Sequence, residues 1–166
     1  MVDRNLTTLE AVALAVRSEM ESTHLYEELT GRVRNPAVID VLKKMAADEE
    51  EHRTALMNLY QEMLGGEAPS IPERDGRDKE LDLDPDADYL AVITAARDKE
   101  LASETFYKQA AERVVDYKTR MFFIELAETE RRHASTLQKQ VDKLREDPHW
   151  FDREEADPYR SVHEGP

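Results

Sequence analysis

The chain of 166 residues is 40% hydrophobic and 36% charged, with a formal net charge of −14 and no cysteine. Its length favours one domain with its own core, and its acidic balance excludes a typical nucleic-acid-binding protein, which needs clustered lysine and arginine. Disulfides, iron–sulfur clusters and cysteine-ligated zinc are also excluded, so any metal ligands must be Asp, Glu or His.

The longest apolar stretches are a few residues, far below the roughly 20 that span a bilayer. The N-terminal sequence "MVDRNLTTLE" also lacks the apolar region of a signal peptide. We therefore expect a cytoplasmic protein without a membrane partner.

Helical spacing of apolar residues extends along nearly the whole chain, which predicts an all-α protein. The first predicted helix begins at a capping box formed by Thr7 and Glu10 and runs to Gly31. The second begins with Asn35 as its cap and ends at the pair of glycines at 65–66.

A proline-containing, charged connection at residues 65–84 separates this pair of helices from a second pair. Asp84 and Pro85 are expected to open the third helix, which reaches about Arg113. The fourth helix is expected to run from its cap at Asp116 to about Glu146. Short links within each pair and one long crossover predict an antiparallel four-helix bundle in residues 1–146, built from two hairpins.

Residues 147–166 form a predicted tail with the chain's only tryptophan. We expect Trp150, Phe151 and Tyr159 to dock on the bundle or on a neighbouring chain. The second possibility predicts a homodimer.

Carboxylates interrupt the apolar stripe of every predicted helix near its middle. The inward positions of the second helix are Leu42, Met45, Glu49, His52, Leu56, Leu59 and Met63. The fourth helix has Glu130 and His133 in the same arrangement. The first and third helices each contribute one inward carboxylate, at Glu19 and Glu100.

The interruptions form an internal repeat. The same offset of 81 positions joins Glu19 to Glu100, Tyr26 to Tyr107, Glu49 to Glu130 and His52 to His133. A chance match of this kind is expected about once in several hundred sequences of this composition. The repeat therefore predicts two like hairpins related by a pseudo-two-fold axis. Glu104 lies near the stripe, but its counterpart is Thr23, so we leave it out of the predicted cluster.

Docking the two hairpins would gather four carboxylates and two imidazoles at mid-height. Desolvating even one ionised carboxylate costs several kcal/mol, so the cluster needs compensating positive charge. Two divalent cations would supply four positive charges. Oxygen-rich ligation with one imidazole per metal suits iron or manganese, or a mixed pair, better than structural zinc.

The segments "EMESTHLY", "ELASETFY", "EEEH" and "ERRH" together resemble the rubrerythrin branch of the ferritin-like di-iron carboxylate proteins, over roughly residues 7–146. The resemblance implies a di-iron centre with terminal ligands Glu19 and Glu100, bridging ligands Glu49 and Glu130, and nitrogen ligands His52 and His133. Tyr26 and Tyr107 would either donate hydrogen bonds to the ligand carboxylates or be ordinary core residues.

The same resemblance implies an oxidoreductase that reduces peroxide or dioxygen at two iron ions. Ser103 stands where rubrerythrins proper carry an additional glutamate, and the cysteine-rich rubredoxin module is absent, so electrons would come from an external electron-transfer protein. One alternative is a ferroxidase that takes up ferrous iron for storage. Another is a metal-stabilised bundle without catalysis.

Overall fold

Four long helices form the structure, a computed structural model that describes residues 7–67, 70–71 and 88–154. They are α1 (Thr8–Arg32), α2 (Pro36–Met63), α3 (Tyr89–Arg113) and α4 (Tyr117–Glu146), and a short 3-10 helix, Trp150–Asp152, follows them. The described ranges contain no strand, which confirms the all-α prediction. None of the described helices is long and apolar enough to cross a membrane.

Three of the predicted helix caps are present. The Thr7 amide donates to Glu10 Oε2 at 2.8 Å, and the Glu10 amide donates to Thr7 Oγ1 at 3.2 Å, which completes a capping box. Asn35 Oδ1 accepts a hydrogen bond from the Ala37 amide at 3.0 Å. Asp116 Oδ2 accepts one from the Thr119 amide at 2.7 Å. These side chains satisfy amides that lack partners in the first turns.

The start of the third helix differs from the prediction. The helix begins at Tyr89, and its cap is Asp88, whose Oδ1 accepts from the Leu90 amide at 3.1 Å. The predicted cap, Asp84, and the following Pro85 lie outside the described residues. Aspartates alternate through "DLDPDAD", so several positions offered the same capping chemistry and sequence alone chose the wrong one.

The helices pair as two hairpins, with α1 packed mainly on α2 and α3 mainly on α4. Three-residue links, 33–35 and 114–116, force each pair to be antiparallel. The hairpins meet along α1–α3 and along α2–α4. Residues 64–88 join them, and most of that connection lies outside the described residues. The predicted four-helix bundle is confirmed.

The apolar core is divided into two clusters, one toward each end of the bundle. One includes Leu25, Val38, Val92 and Leu137, and the other includes Val12, Leu56, Tyr107 and Phe123. Each cluster thus takes residues from all four helices. The layer between them is where the predicted polar residues lie.

The start of the tail packs on the bundle. The Phe151 side chain is fully buried, and its carbonyl accepts hydrogen bonds from the amides of Arg34 and Asn35, at 2.9 and 3.0 Å. Trp150 Nε1 donates to Gln140 Oε1 at 3.2 Å. These contacts close the bundle over the link between α1 and α2. Tyr159 lies outside the described residues, and the homodimer stays a prediction.

Several positions depart from the predicted apolar stripes. Met63, at the last position of α2, is 40% exposed. Leu59 is only half-buried, and the neighbouring Tyr60 is buried instead, at 7% exposure. On α3, Glu104 near the stripe is buried, at 9% exposure. A stripe drawn at 3.5 residues per turn drifts around a straight helix of 3.6, which explains errors of one position.

Candidate metal centre

The structure brings all six predicted acid and histidine residues together between the two apolar clusters. Glu49 and Glu100 are fully buried, and Glu130 and Glu19 are 1% and 3% exposed. The His133 side chain is 6% exposed and that of His52 is 14% exposed. The rings of the two histidines lie 6.0 Å apart, centroid to centroid.

Glu49 and Glu130 each divide their two carboxylate oxygens between the two histidines. Glu49 Oε1 lies 2.7 Å from His133 Nδ1, and Glu49 Oε2 lies 3.5 Å from His52 Nδ1. Glu130 Oε1 lies 3.4 Å from His52 Nδ1, and Glu130 Oε2 lies 3.9 Å from His133 Nδ1. A carboxylate with one oxygen toward each of two positions is arranged to bridge two cations.

The six residues form two overlapping sets of donors, one containing Glu19 and the other Glu100. One set is Glu19, Glu49, Glu130 and His52, and the other is Glu49, Glu100, Glu130 and His133. Within each set one donor atom per residue lies within 4.8 Å of all the others. The i, i+3 spacing within α2 and within α4 places a bridging carboxylate and its histidine on the same helical face.

Two tyrosines connect the hairpins across the α1–α3 interface. The Tyr26 hydroxyl on α1 donates to Glu100 Oε1 on α3, and the Tyr107 hydroxyl on α3 donates to Glu19 Oε1 on α1. Both tyrosines are buried. The sequence left open whether these tyrosines donate hydrogen bonds to the carboxylates or are ordinary core residues. In the structure both donate hydrogen bonds to carboxylates. Each bond engages one oxygen of a carboxylate and leaves the other free to face the centre.

Burial changes the protonation of the carboxylates in the absence of a cation. It raises the pKa of Glu19 to about 8, and contact with Glu49 adds to the effect. Burial also raises the pKa of Glu130 to about 10, a shift that His52 opposes and Glu100 reinforces. Both groups therefore carry protons at neutral pH when no metal is bound.

The other members of the cluster take the opposite charge state. Burial alone would lower the pKa of His52, but its contacts with Glu130, Glu19 and Glu49 outweigh that effect and raise it to about 12. Contact with Glu49 likewise raises the pKa of His133 against the effect of burial. Burial would raise the pKa of Glu49, but its contacts with Glu19 and the two histidines hold it well below the usual range. Protons thus provide the compensating positive charge that cations would otherwise supply.

The donor atoms fit a metal centre because many of them lack another partner. Apart from the ion-pair contacts within the cluster itself, six buried atoms of the site make no hydrogen bond to any described residue: both oxygens of Glu49, Glu100 Oε2, Glu130 Oε1, and Nδ1 of His52 and of His133. Unpaired buried polar atoms are rare and costly. Cation ligation would satisfy all six, and the mixture of oxygen with one nitrogen per position suits iron or manganese.

Sequence reasoning missed one acidic residue that contacts the site. Asp48 Oδ2 lies 3.3 Å from Nε2 of His133, the nitrogen that faces away from the carboxylates. Its place directly before Glu49 in the chain was the available signal. Buried Glu104 pairs with Lys108 on the next turn of α3, and it is absent from both donor sets. This agrees with the exclusion of Glu104 from the predicted cluster.

A cavity of about 460 Å³ between α2 and α4 reaches the edge of the centre. Both histidines line it, together with Asp48, Thr129 and Arg132. The two histidines are therefore the members of the cluster that border this cavity.

The fold and the site define a ferritin-like helical bundle whose acidic residues and histidines can hold metal. The family model for rubrerythrin matches residues 10–141, so the chain belongs to the rubrerythrin family. In a search of curated proteins, nothing matches this chain. Among solved structures, a hypothetical protein from Pyrococcus furiosus is similar, with a TM-score of 0.75 and 22% sequence identity over 86% of this chain and 92% of the other. At that identity, the likeness supports the fold.

Proposed function

We propose that this protein binds two iron ions and works as an oxidoreductase that reduces peroxide or dioxygen. The observation that carries the proposal is the division of the Glu49 and Glu130 oxygens between the two histidines. Membership of the rubrerythrin family supports iron as the metal.

The residues of the centre would hold the ions in two positions. Glu19 and His52 would complete one position, Glu100 and His133 the other, and Glu49 and Glu130 would be shared. Bound iron would supply the redox chemistry by cycling between the ferrous and ferric states. The buried carboxylates would keep the ions in a water-poor layer, where charge interactions are strong.

Tyr26 and Tyr107 would fix the orientation of the terminal carboxylates, since each hydroxyl engages one oxygen of its partner. The cavity between α2 and α4 would admit the oxidant. Reduction of hydrogen peroxide to two water molecules consumes two electrons and two protons. The chain has no cysteine to supply electrons, so we assign them to an external electron-transfer protein.

Anaerobic reconstitution with ferrous iron tests this function directly. We expect about two ions per chain after removal of unbound iron, and rapid oxidation when the loaded protein is mixed with peroxide in a stopped-flow instrument. Mixing with air-saturated buffer in parallel identifies the preferred oxidant. Retention of no more than one ion per chain would contradict the di-iron centre. A ferrous spectrum that peroxide leaves unchanged would favour a metal-stabilised bundle without catalysis.

The net charge of −14 supports a second candidate, a ferroxidase that collects ferrous iron for storage. An acidic surface attracts cations and raises their local concentration. Aerobic titration with ferrous iron separates the two functions. Oxidation of many ions per chain into a mineral would favour storage, whereas saturation at about two would favour the fixed-centre oxidoreductase.

A further inference from the structure

His133 contacts a carboxylate, that of Asp48, for which the repeat provides no equivalent beside His52. Asp48 on α2 reaches across to α4, where its Oδ2 lies 3.3 Å from His133 Nε2. The same carboxylate accepts two hydrogen bonds from Lys44 Nζ, at 2.8 and 3.0 Å. The carboxylate is therefore held from one side by Lys44 and faces the imidazole on the other.

The residue equivalent to Asp48 in the second hairpin is Thr129, which precedes Glu130 as Asp48 precedes Glu49. The Thr129 hydroxyl donates to the carbonyl of Glu125 on its own helix at 3.2 Å and accepts from Arg132 at 2.7 Å. Thr129 is thus engaged within α4, and the chain offers His52 no carboxylate at this position. The two hairpins therefore differ at Asp48, the residue that contacts the predicted ligand His133.

A second asymmetry points the same way. All four residues of the donor set with His133 are buried, whereas the set with His52 includes one half-buried member, His52 itself. Water competes with protein ligands more effectively at the more exposed position. His133, the histidine that contacts Asp48, therefore also belongs to the more buried donor set.

We propose that Asp48 makes the two metal positions unequal, so that the position formed by Glu49, Glu100, Glu130 and His133 binds its divalent ion first and more tightly. This inference depends on the metal centre proposed above. A carboxylate that accepts a hydrogen bond from Nε2 of a histidine fixes the tautomer in which Nδ1 carries the lone pair. It also holds the ring so that this lone pair faces the centre. Asp48 is a positioning residue in this scheme, because it acts on the ion only through His133.

Anaerobic titration of the metal-free protein with Co²⁺, followed by calorimetry and by the visible absorbance of the bound ion, tests the proposal. The wild-type protein should take up two ions in two resolved phases. His133→Gln should remove the tight phase, and His52→Gln should remove the weak phase. Asp48→Ala should weaken the tight phase about 10- to 100-fold, the usual effect of removing a partner of a metal-bound histidine.

Exchange of the two equivalent residues provides a sharper comparison. Asp48→Thr makes the first hairpin like the second and should bring the two affinities together, while Thr129→Asp should strengthen the weak phase. Asp40→Ala removes an exposed carboxylate from the same helix and should change neither phase. Melting curves and far-ultraviolet circular dichroism of each variant identify any loss of fold.

The outcomes separate this inference from the proposed function. If the wild-type protein binds fewer than two ions, the metal centre itself is wrong. If it binds two ions with equal affinity, or if Asp48→Ala and Asp48→Thr leave both phases unchanged in folded protein, only the role of Asp48 is wrong.

Discussion

The hydroxyl of Tyr26 on α1 donates a hydrogen bond to the carboxylate of Glu100 on α3, across the interface between the two hairpins. The repeat equivalents, Tyr107 and Glu19, form the same bond in the reverse direction. Each hairpin therefore supplies the hydroxyl that orients a buried carboxylate of the other. Neither Glu19 nor Glu100 can accept this hydrogen bond until the hairpins have docked.

Tyr26→Phe should lower the free energy of unfolding by about 1–3 kcal/mol, because it leaves a buried carboxylate oxygen without its donor. The ring itself is retained, so the packing around it should change little. Urea unfolding of the metal-free protein measures the effect. Tyr117→Phe, at a tyrosine that is 73% exposed, is the matched control and should be neutral. A Tyr26→Phe variant as stable as the wild type would show that the hydrogen bond contributes nothing.

Glu130→Ala should lose one or both metal ions, because Glu130 belongs to both donor sets. His133→Leu should weaken only one position and leave the helices folded. Metal analysis after reconstitution, together with far-ultraviolet circular dichroism, distinguishes the two effects. Glu128→Ala removes an exposed carboxylate from the same helix and should retain full occupancy. Full occupancy in Glu130→Ala would refute the bridging role.

Metal binding should stabilise the fold more at pH 8 than at pH 6. The pKa of Glu19 is raised to about 8 and that of Glu130 to about 10, so the folded metal-free protein holds protons that the unfolded chain releases above about pH 4.5. The raised pKa of His52, about 12, adds a further proton above pH 6.5. Stability of the metal-free protein therefore falls as pH rises through this range.

Cations replace these protons, so the loaded protein should lose less stability with rising pH, and metal affinity should increase. Melting temperatures with and without Mn²⁺, measured at both pH values, give the comparison. The Glu130→Ala variant is the control, since its response to Mn²⁺ should be small at either pH. An equal gain at pH 6 and pH 8 in the wild type would contradict the proton exchange.

Phe151→Ala should destabilise the protein by about 3–5 kcal/mol, a typical value for truncating a fully buried phenylalanine. The side chain has no exposed surface and packs against Tyr89 at a ring-centroid distance of 5.1 Å. Thermal or urea unfolding measures the loss. Val115→Ala, at a residue that is 91% exposed, should be within about 0.5 kcal/mol of the wild type. A small loss at Phe151 would show that the tail packs only weakly.

The predicted homodimer makes a separate prediction for the end of the tail. Phe151 is buried against its own bundle and is not available to a partner, so we assign tail-mediated pairing to residues 155–166, which follow this contact. A chain that ends at residue 154 should then remain folded and become monomeric in light scattering. An unchanged oligomer mass would rule out the tail as the dimer contact.

Helical pattern and repeat were sufficient to predict the bundle and the six residues that meet at its centre. The helical pattern is a local signal, since the i, i+3 and i, i+4 spacing within one helix determines which face is buried. The equal offset between hairpins then placed the four carboxylates at one height. Four pairs of residues, such as Glu49 and Glu130, share this offset. Their agreement was sufficient to predict that these residues are buried, although the sequence around them is mostly polar.

Contacts between hairpins were not predictable in the same way. The pairing of Tyr26 with Glu100, rather than with a carboxylate of its own hairpin, depends on how α1 docks on α3. Asp48 lies off the apolar stripe, and its contact with His133 arises because α2 and α4 are neighbours at that height. Spacing within one helix places Asp48 beside Glu49 but does not show which residue of the other hairpin either side chain contacts.

The division of the apolar core into two clusters has a consequence for how the chain assembles. Because each cluster takes residues from all four helices, neither hairpin has an apolar core of its own. A hairpin separated from the rest would expose both half-cores and could bury them only by pairing with a second copy. The connection at residues 64–88 makes that pairing intramolecular, so the bundle can form at a rate independent of protein concentration.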